Sequence, residues 1–346
     1  MSNSSNEEYP VAMAHINPTL LEFFMTLNLV VLAEMIGYGG IVANIINILN
    51  FKKQGLQDSV NVTLTALAVS DFGALFCQSL INLLFSPFWK NVELPFYSSS
   101  IFAMLFFYPH GYFIRVSGFI TAFAAFERCL CVVFPLKVKS IITKDVAVAV
   151  NVLIFIILLL YLFPEYYVSY PDWIYIPAFN RSVLTIFYRD NAEYILTVTN
   201  IVNDLFVPYI TFFVLIICTV VIVYKLKAKA KWRRSISGGV KSSGLSKVEL
   251  SSKDKKAVVM LTVVSVIFII CLTPQCVLMT VIGVKQELKV EGPLWDISLL
   301  IYSFTSLLET VNCSVTIIVY YNMSTKYREM IQAWFPICLT LKKYLV

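Results

Sequence analysis

The sequence predicts an all-α membrane protein, a seven-transmembrane helix bundle with its N-terminus outside and a short amphipathic membrane-surface helix after the last span. Three observations predict it. Charged residues make up only 14% of the 346 and hydrophobic ones 58%, whereas a soluble domain carries about 25% charged residues. Seven apolar runs, each long enough for a span of roughly 20 residues, fall near 25–50, 60–86, 98–131, 146–168, 193–225, 256–284 and 293–321. Most of the 27 Lys and Arg residues fall on one side of these runs, and the positive-inside rule makes that side the cytoplasm. Such a composition excludes a cytosolic enzyme, a secreted disulfide scaffold and a disordered chain.

Taken in chain order, residues 1–24 form a polar extracellular tail with Glu7 and Glu8 and no basic stretch, so no cleavable signal peptide is expected. Residues 25–322 form the spanning domain and 323–346 the amphipathic helix with a short cytoplasmic tail. Asn3-Ser4-Ser5 and Asn180-Arg181-Ser182 are glycosylation sequons on the outer side, at Asn3 and Asn180. The eight cysteines lie in spans or on the inner side, so no extracellular disulfide framework is expected. Cys338, just past the amphipathic stretch Lys326–Trp334, is a candidate for acylation. The outer loop between Phe163 and Asn191 is the long one, rich in Tyr, Pro and Asp, and the inner loop from Leu226 to Lys253 is basic, then Ser/Gly-rich and solvated. The net charge of +6 is concentrated at this inner rim, which points to the membrane surface and not to nucleic acid. No paired, Gly/Pro-broken halves of the transporter kind are present.

Polar residues inside spans are costly and usually functional. Asp71 lies deep in the second span, where a bare carboxylate would be driven to protonate unless neighbours share its field. Asn44, Ser117, Asn312 and Thr316 are the available partners. Two readings stay open: a polar knot that holds helices together, and a cation-responsive switch centre with sodium as the candidate ion.

On these residues the chain resembles a rhodopsin-like (class A) G-protein-coupled receptor over almost its whole length. The carriers are Asn44 in Gly40-Ile41-Val42-Ala43-Asn44, Leu67-Ala68-x-x-Asp71, Glu127-Arg128-Cys129 with Pro135-Leu136 following, Pro208, Cys271-Leu272-Thr273-Pro274, and Asn312-Cys313-Ser314 with Thr316-Ile317-Ile318-Val319-Tyr320. The run Glu127–Lys139 is similar to invertebrate receptors, especially molluscan chemosensory receptors and related neuropeptide receptors. The resemblance implies a plasma-membrane receptor for an extracellular small-molecule or peptide ligand that activates a heterotrimeric G protein. It also implies an activation set of Glu127, Arg128, Asp254, Leu272, Pro274 and Tyr320. Asp254 stands 20 residues before Pro274, about 30 Å of helix, where it can pair with Arg128 and latch spans three and six, or lie solvated between lysines. The basic run Lys225, Lys227, Lys229, Lys231, Arg233 and Arg234 would flank the G-protein cleft or meet anionic lipid. Several positions depart from the class: Leu272 replaces the usual Trp, Thr316 and Ile317 the Asn and Pro of the last motif, Ile216 the span-five Tyr, and Ala103 the outer Cys.

Arg115 lies 13 residues before Arg128, about 20 Å up the same helix. Asp204, one turn before Pro208, is its natural partner, either as a staple between helices or as part of a ligand anchor. The anchor would be lined by His110, Asn200, Gln275, Met279, Tyr302 and Glu309, with Glu34 adding negative charge at similar depth. Amine receptors of the class carry an aspartate where this chain has His110, which argues against biogenic amines. Acidic outer residues such as Glu93, Asp172, Asp190 and Glu287 would steer cationic ligands such as amidated basic peptides. The other class of function is an ion-coupled transporter or channel using Asp71, Arg115, Asp204 and Glu309. Catalysis has little to work with, since His15 and His110 are the only histidines and no metal-ligand spacing or nucleophile triad is present.

Overall fold

The computed structural model describes residues 16–84, 94–135, 137–177, 180–237, 252–288 and 292–334. Its seven long apolar helices are α1 (Pro18–Gln54), α2 (Ser59–Leu83), α3 (Ser100–Val133), α4 (Lys144–Val168), α5 (Ala192–Lys225), α6 (Val258–Val284) and α7 (Trp295–Met323). A short helix α8 (Thr325–Trp334) follows. Helix α1 starts seven residues before the expected edge of the first span. The Asn17 side chain accepts from Thr19 N at 2.9 Å and Pro18 supplies the preset first turn, so Leu20, Leu21, Phe23 and Phe24 become helical.

Helix α3 packs against α2, α4, α5 and α6, while α7 closes the ring against α1, α2 and α6. The core joins Leu64 and Leu67 of α2, Tyr112, Val116 and Ile120 of α3, Met260, Leu261 and Val264 of α6, and Tyr320 of α7. In lipid the contact between helices comes from close van der Waals fit, and two glycines permit it. A Cβ on Gly40 would stand 2.7 Å from Leu75 Cδ1, and one on Gly73 would stand 2.6 Å from the Phe113 ring. Ile156, Leu160 and Phe163 of α4 and Ile210 and Phe213 of α5 face outward, the expected lipid-facing surface.

One segment departs from an all-helical chain. In the long outer loop β1 (Ser169–Ile176) pairs antiparallel with β2 (Arg181–Tyr188), in the register Ser169↔Tyr188 to Ile176↔Arg181. β-Branched and aromatic residues favour the pleat, and Asn180 takes a positive φ of 46° at the turn. Val183 is buried and Leu184 bridges to Phe96, so β2 lies against the bundle and β1 on the outside.

Helices α3 and α5 each contain a π-helical stretch in the outer half, Ala103–Phe107 and Ile201–Phe206. Each precedes a proline, Pro109 and Pro208. In an i→i+5 pattern the carbonyls of Met104 and Asn203 would need the N–H of residues 109 and 208, which proline lacks. Side chains of neighbouring helices take both oxygens instead. Tyr166 Oη of α4 donates to Met104 O at 2.8 Å, and Arg115 Nε of α3 donates to Asn203 O at 3.1 Å.

Candidate functional site

Three polar stations lie along α3. At the outer one, Arg115 donates to the Asp204 carboxylate, to Asn203 O, and to Gly111 O at 2.8 Å. The Arg115 side chain is 12% exposed and that of Asp204 32%, so the pair is buried on the arginine side and open on the carboxylate side. One turn above, His110 Nδ1 lies 3.1 Å from Ala74 O, and Nε2 lies 3.4 Å from Glu309 Oε2. A carbonyl can only accept, so in the contact with Ala74 O the imidazole is the donor. Gln275 Oε1 accepts from Thr305 Oγ1 of α7. Met279 and Tyr302 are half-buried.

Asn200 does not join this group. It is exposed, while Thr199 is buried. On a regular helix Asn200 would share a face with Asp204 four residues on. The π stretch adds a residue to that turn and brings the residue five before Asp204 inward instead.

The middle station is Asp71. Ser117 Oγ donates to its Oδ1 at 2.6 Å, and both line a cavity of about 10 Å³ with Thr121, Phe268, Asn312 and Thr316. That is room for about one water-sized particle, lined by the polar Asp71, Ser117, Thr121, Asn312 and Thr316 and by the apolar Leu67, Val264, Ile267, Phe268 and Val315. Asn44 turns elsewhere, donating to Gly40 O at 3.0 Å and Cys313 O at 2.9 Å. It ties α1 to α7 and is not a partner of Asp71. Thr316 accepts from Asn47 at 3.3 Å.

At the inner station Glu127 accepts from Arg128 at 2.6 Å and from Ser59 of α2 at 2.5 Å. Both charged side chains are buried, and Arg128 Nε has no partner among the described residues. The side chain of Asp254 lies outside the described residues, as do Asn3 and Cys338. Asn180, the other sequon, is at the hairpin turn. Leu272 packs with Phe212 and Phe268, Pro274 lies inside α6, and Tyr320 is buried against Phe51.

Three further groups of polar residues are brought together, and of their members sequence reasoning had placed only Glu34 in a candidate site. Ser59 holds Glu127. Tyr327 of α8 is fully buried, donates to Asn47 Oδ1, and accepts at its own carbonyl from Asn50 at 3.4 Å. The spacing Asn44-x-x-Asn47-x-x-Asn50, one inward stripe of α1, was the available signal. Lastly, Glu34, Gln78, Ser79, Asn82 and Ser306 form a buried polar nest between α1, α2 and α7. Among the described residues no group of three or more His, Cys, Asp or Glu side chains could hold a metal.

The sequence model of the family described as serpentine type 7TM GPCR chemoreceptor Srw matches residues 32–338, which cover all seven helices but the start of the first. The chain belongs to this family. It is a multi-pass membrane receptor of the chemoreceptor kind and not an enzyme. The family is not strictly class A, and it agrees with the chemosensory side of the resemblance. Of the positions where the chain departs from class A, Leu272 and Thr316 are buried and Ile317 packs against the core, while Ile216 is exposed. No curated protein matches the chain.

Proposed function

We propose that this receptor, with its N-terminus outside the plasma membrane, binds an extracellular chemical in the outer half of the bundle and activates a heterotrimeric G protein at the inner end. The observation that carries the reading is that one helix, α3, bears all three polar stations: Arg115 outside, Ser117 with Asp71 in the middle, and Glu127-Arg128 inside. A ligand that competes for the open Asp204 or for Arg115 changes how α3 is held against α5, and the same rigid helix ends at the buried arginine. Opening the inner side would free Arg128 and Tyr320 toward a G-protein helix, with the basic end of α5 alongside. Asp71, Ser117, Asn312 and Thr316 would hold a sodium ion or a water, whose loss would accompany the change of state. α8, with Tyr327 inward and its charged residues outward, would lie on the inner membrane surface.

Nucleotide exchange on G proteins in membranes containing the full chain, screened against waterborne odorants and amidated peptides, tests the reading. Ligand-dependent exchange supports it. Solute flux with no exchange for any ligand would sink it.

A further inference from the structure

Helices α3 and α5 are packed together over their inner halves, and small side chains on α3 allow it. Ala122 and Ala125 of α3 share one buried cluster with Phe212, Leu215 and Cys218 of α5. Cys129 continues that face of α3 at the helical spacing 122, 125, 129 and packs against the same cluster. Its thiol and that of Cys218 hydrogen-bond to each other across the two helices. Both cysteines are free. They differ in access. Cys218 is 5% exposed, whereas Cys129 is half-buried and lies four residues before α3 ends at Val133. Cys129 directly follows Arg128, and Cys218 stands seven residues before α5 reaches Lys225, so the pair lies at the inner end of the bundle. Neither sulfur belongs to the three polar stations.

Two thiols in hydrogen-bond contact on different helices are one two-electron oxidation away from a covalent link. A disulfide needs its two backbones near each other, with Cα atoms about 4.4–6.8 Å apart, and alanines at the adjoining contact positions favour such close approach. We infer that Cys129 and Cys218 are a modification site, a disulfide made by peroxide and undone by cellular thiols that ties α3 to α5 beside Arg128. The Cys129 sulfur, the more accessible one, attacks an oxygen of hydrogen peroxide. The O–O bond breaks, and Cys129 sulfenic acid and water form. The Cys218 sulfur then attacks the Cys129 sulfur, the S–O bond breaks and the S–S bond forms. Hydroxide leaves and takes the Cys218 proton as a second water. The two thiols lose two electrons and two protons, and one peroxide becomes two waters. Low-molecular-weight thiols of the cytoplasm reverse the bond by exchange, which makes it the transient, redox-sensing kind and not a structural one. Its regulatory sense rests on the proposed function: a tie between α3 and α5 one residue from Arg128 restrains the inner opening that coupling requires.

The test reads the bond itself. The full chain in lipid nanodiscs is treated with hydrogen peroxide, remaining thiols are blocked with N-ethylmaleimide, and chymotryptic peptides are weighed by mass spectrometry. A linked pair joining Cys129 to Cys218, two hydrogens lighter than its parts and released by dithiothreitol, is expected. Cys129→Ser and Cys218→Ser should each abolish it, and Cys77→Ser on α2 should not. The bond spans about 90 residues of chain and should raise the unfolding temperature by about 2–5 °C, a rise that dithiothreitol reverses and both variants lack. Cys129→Ala and Cys218→Ala are the second variants, for the case that a serine hydroxyl in this apolar contact prevents folding. Cys129 carried to sulfinic acid while Cys218 is still alkylated would overturn the inference, because the second sulfur would then be out of reach. So would Cys129 linked to any other cysteine, or no reaction at either sulfur even with copper phenanthroline. In membranes with G protein, oxidation should lower ligand-dependent nucleotide exchange by about threefold or more, restored by dithiothreitol. A link that leaves exchange unchanged would overturn its regulatory sense. A link in a chain that gives no exchange with any ligand, oxidised or reduced, would leave this site standing while refuting the signalling proposal.

Discussion

At the scale of single residues, the arginine of α3 has the largest local effect. Arg115 makes three hydrogen bonds from a buried position, to a carboxylate and to two carbonyls, and one of those carbonyls has been abandoned by its own helix. Arg115→Ala removes all three at once and leaves Asn203 O without a donor. Hydrogen bonds to charged groups are worth about 1.5–3 kcal/mol each, and the third-exposed Asp204 side chain can recruit water in compensation. The expected net loss is about 2–4 kcal/mol, read as a lower unfolding temperature in nanodiscs. Asp204→Asn should cost less than half of that, because its amide oxygen still accepts from the guanidinium. A larger loss from Asp204→Asn than from Arg115→Ala would show that the carboxylate has another essential partner. Gly73 gives a second residue-scale expectation. Gly73→Leu drives a side chain into the Phe113 ring, 2.6 Å from even a bare Cβ, and should destabilise by about 1–3 kcal/mol or more.

At the scale of elements, the π stretches of α3 and α5 explain why the sequence was legible up to a point and no further. The seven spans were legible because apolar length is a direct consequence of bilayer thickness. The Arg115–Asp204 pairing was legible because an isolated guanidinium in lipid needs an anion and few are available. Asn200 was misplaced because the face of a helix is read on a period of 3.6, and one π turn shifts that period for every residue beyond it. Pro208 was the visible sign of this, but it does not say which way the ladder opens. Pro208→Ala restores the N–H that can satisfy Asn203 O. In that background the extra cost of Arg115→Ala should shrink by about 1 kcal/mol, the worth of one hydrogen bond, and a double-mutant cycle on unfolding temperature measures it. An additive cycle would mean that the proline does not create the carbonyl's need. The hairpin was hidden for another reason: Pro171 and Asp172 break the alternation that would announce β1.

The clasp of α8 also belongs to the element scale. Charged residues alternating with Tyr327, Met330 and Trp334 read as a helix lying on the membrane, which says nothing of a tyrosine turned into the bundle. Burial pushes the Tyr327 phenol above its ordinary range, so it stays protonated and keeps donating to Asn47. A raised folded-state pKa means stability present in full below the unfolded value of about 10 and lost as the pH rises beyond it. The docking of α8 should therefore be flat with pH up to about 10 and weaken above. Tyr327→Phe should remove that alkaline loss and cost about 0.5–1.5 kcal/mol at neutral pH, with faster amide exchange over 325–334 as the measurement. Unchanged exchange in Tyr327→Phe would show that ring packing against Phe51 and Tyr320 holds the helix by itself.

For the whole molecule, the question is how a bundle so apolar can hold two states within reach of each other. Most helix contacts are between aliphatic and aromatic side chains and change little when helices shift by a fraction of a turn. The polar contacts have few alternatives, because a group that loses its partner in this interior finds no water. They therefore set the gap between states, and at the inner end the gap depends on few residues. Arg128 is held by Glu127, and Glu127 by Ser59 of α2, so the closed arrangement joins α2 and α3 through one carboxylate. Glu127→Gln keeps an oxygen for Ser59 but gives up the charge that holds Arg128. A loss of about 1.4 kcal/mol from the closed state shifts the equilibrium tenfold, so basal G-protein exchange without ligand should rise by about three- to tenfold. Ser59→Ala leaves the charge pair intact and loosens only its anchor on α2, so its rise should be smaller. Equal basal exchange in Glu127→Gln and the wild type, at matched surface expression, would mean that the buried arginine does not restrain the receptor. A rise in Ser59→Ala larger than in Glu127→Gln would transfer the restraint from the ion pair to the contact between α2 and α3.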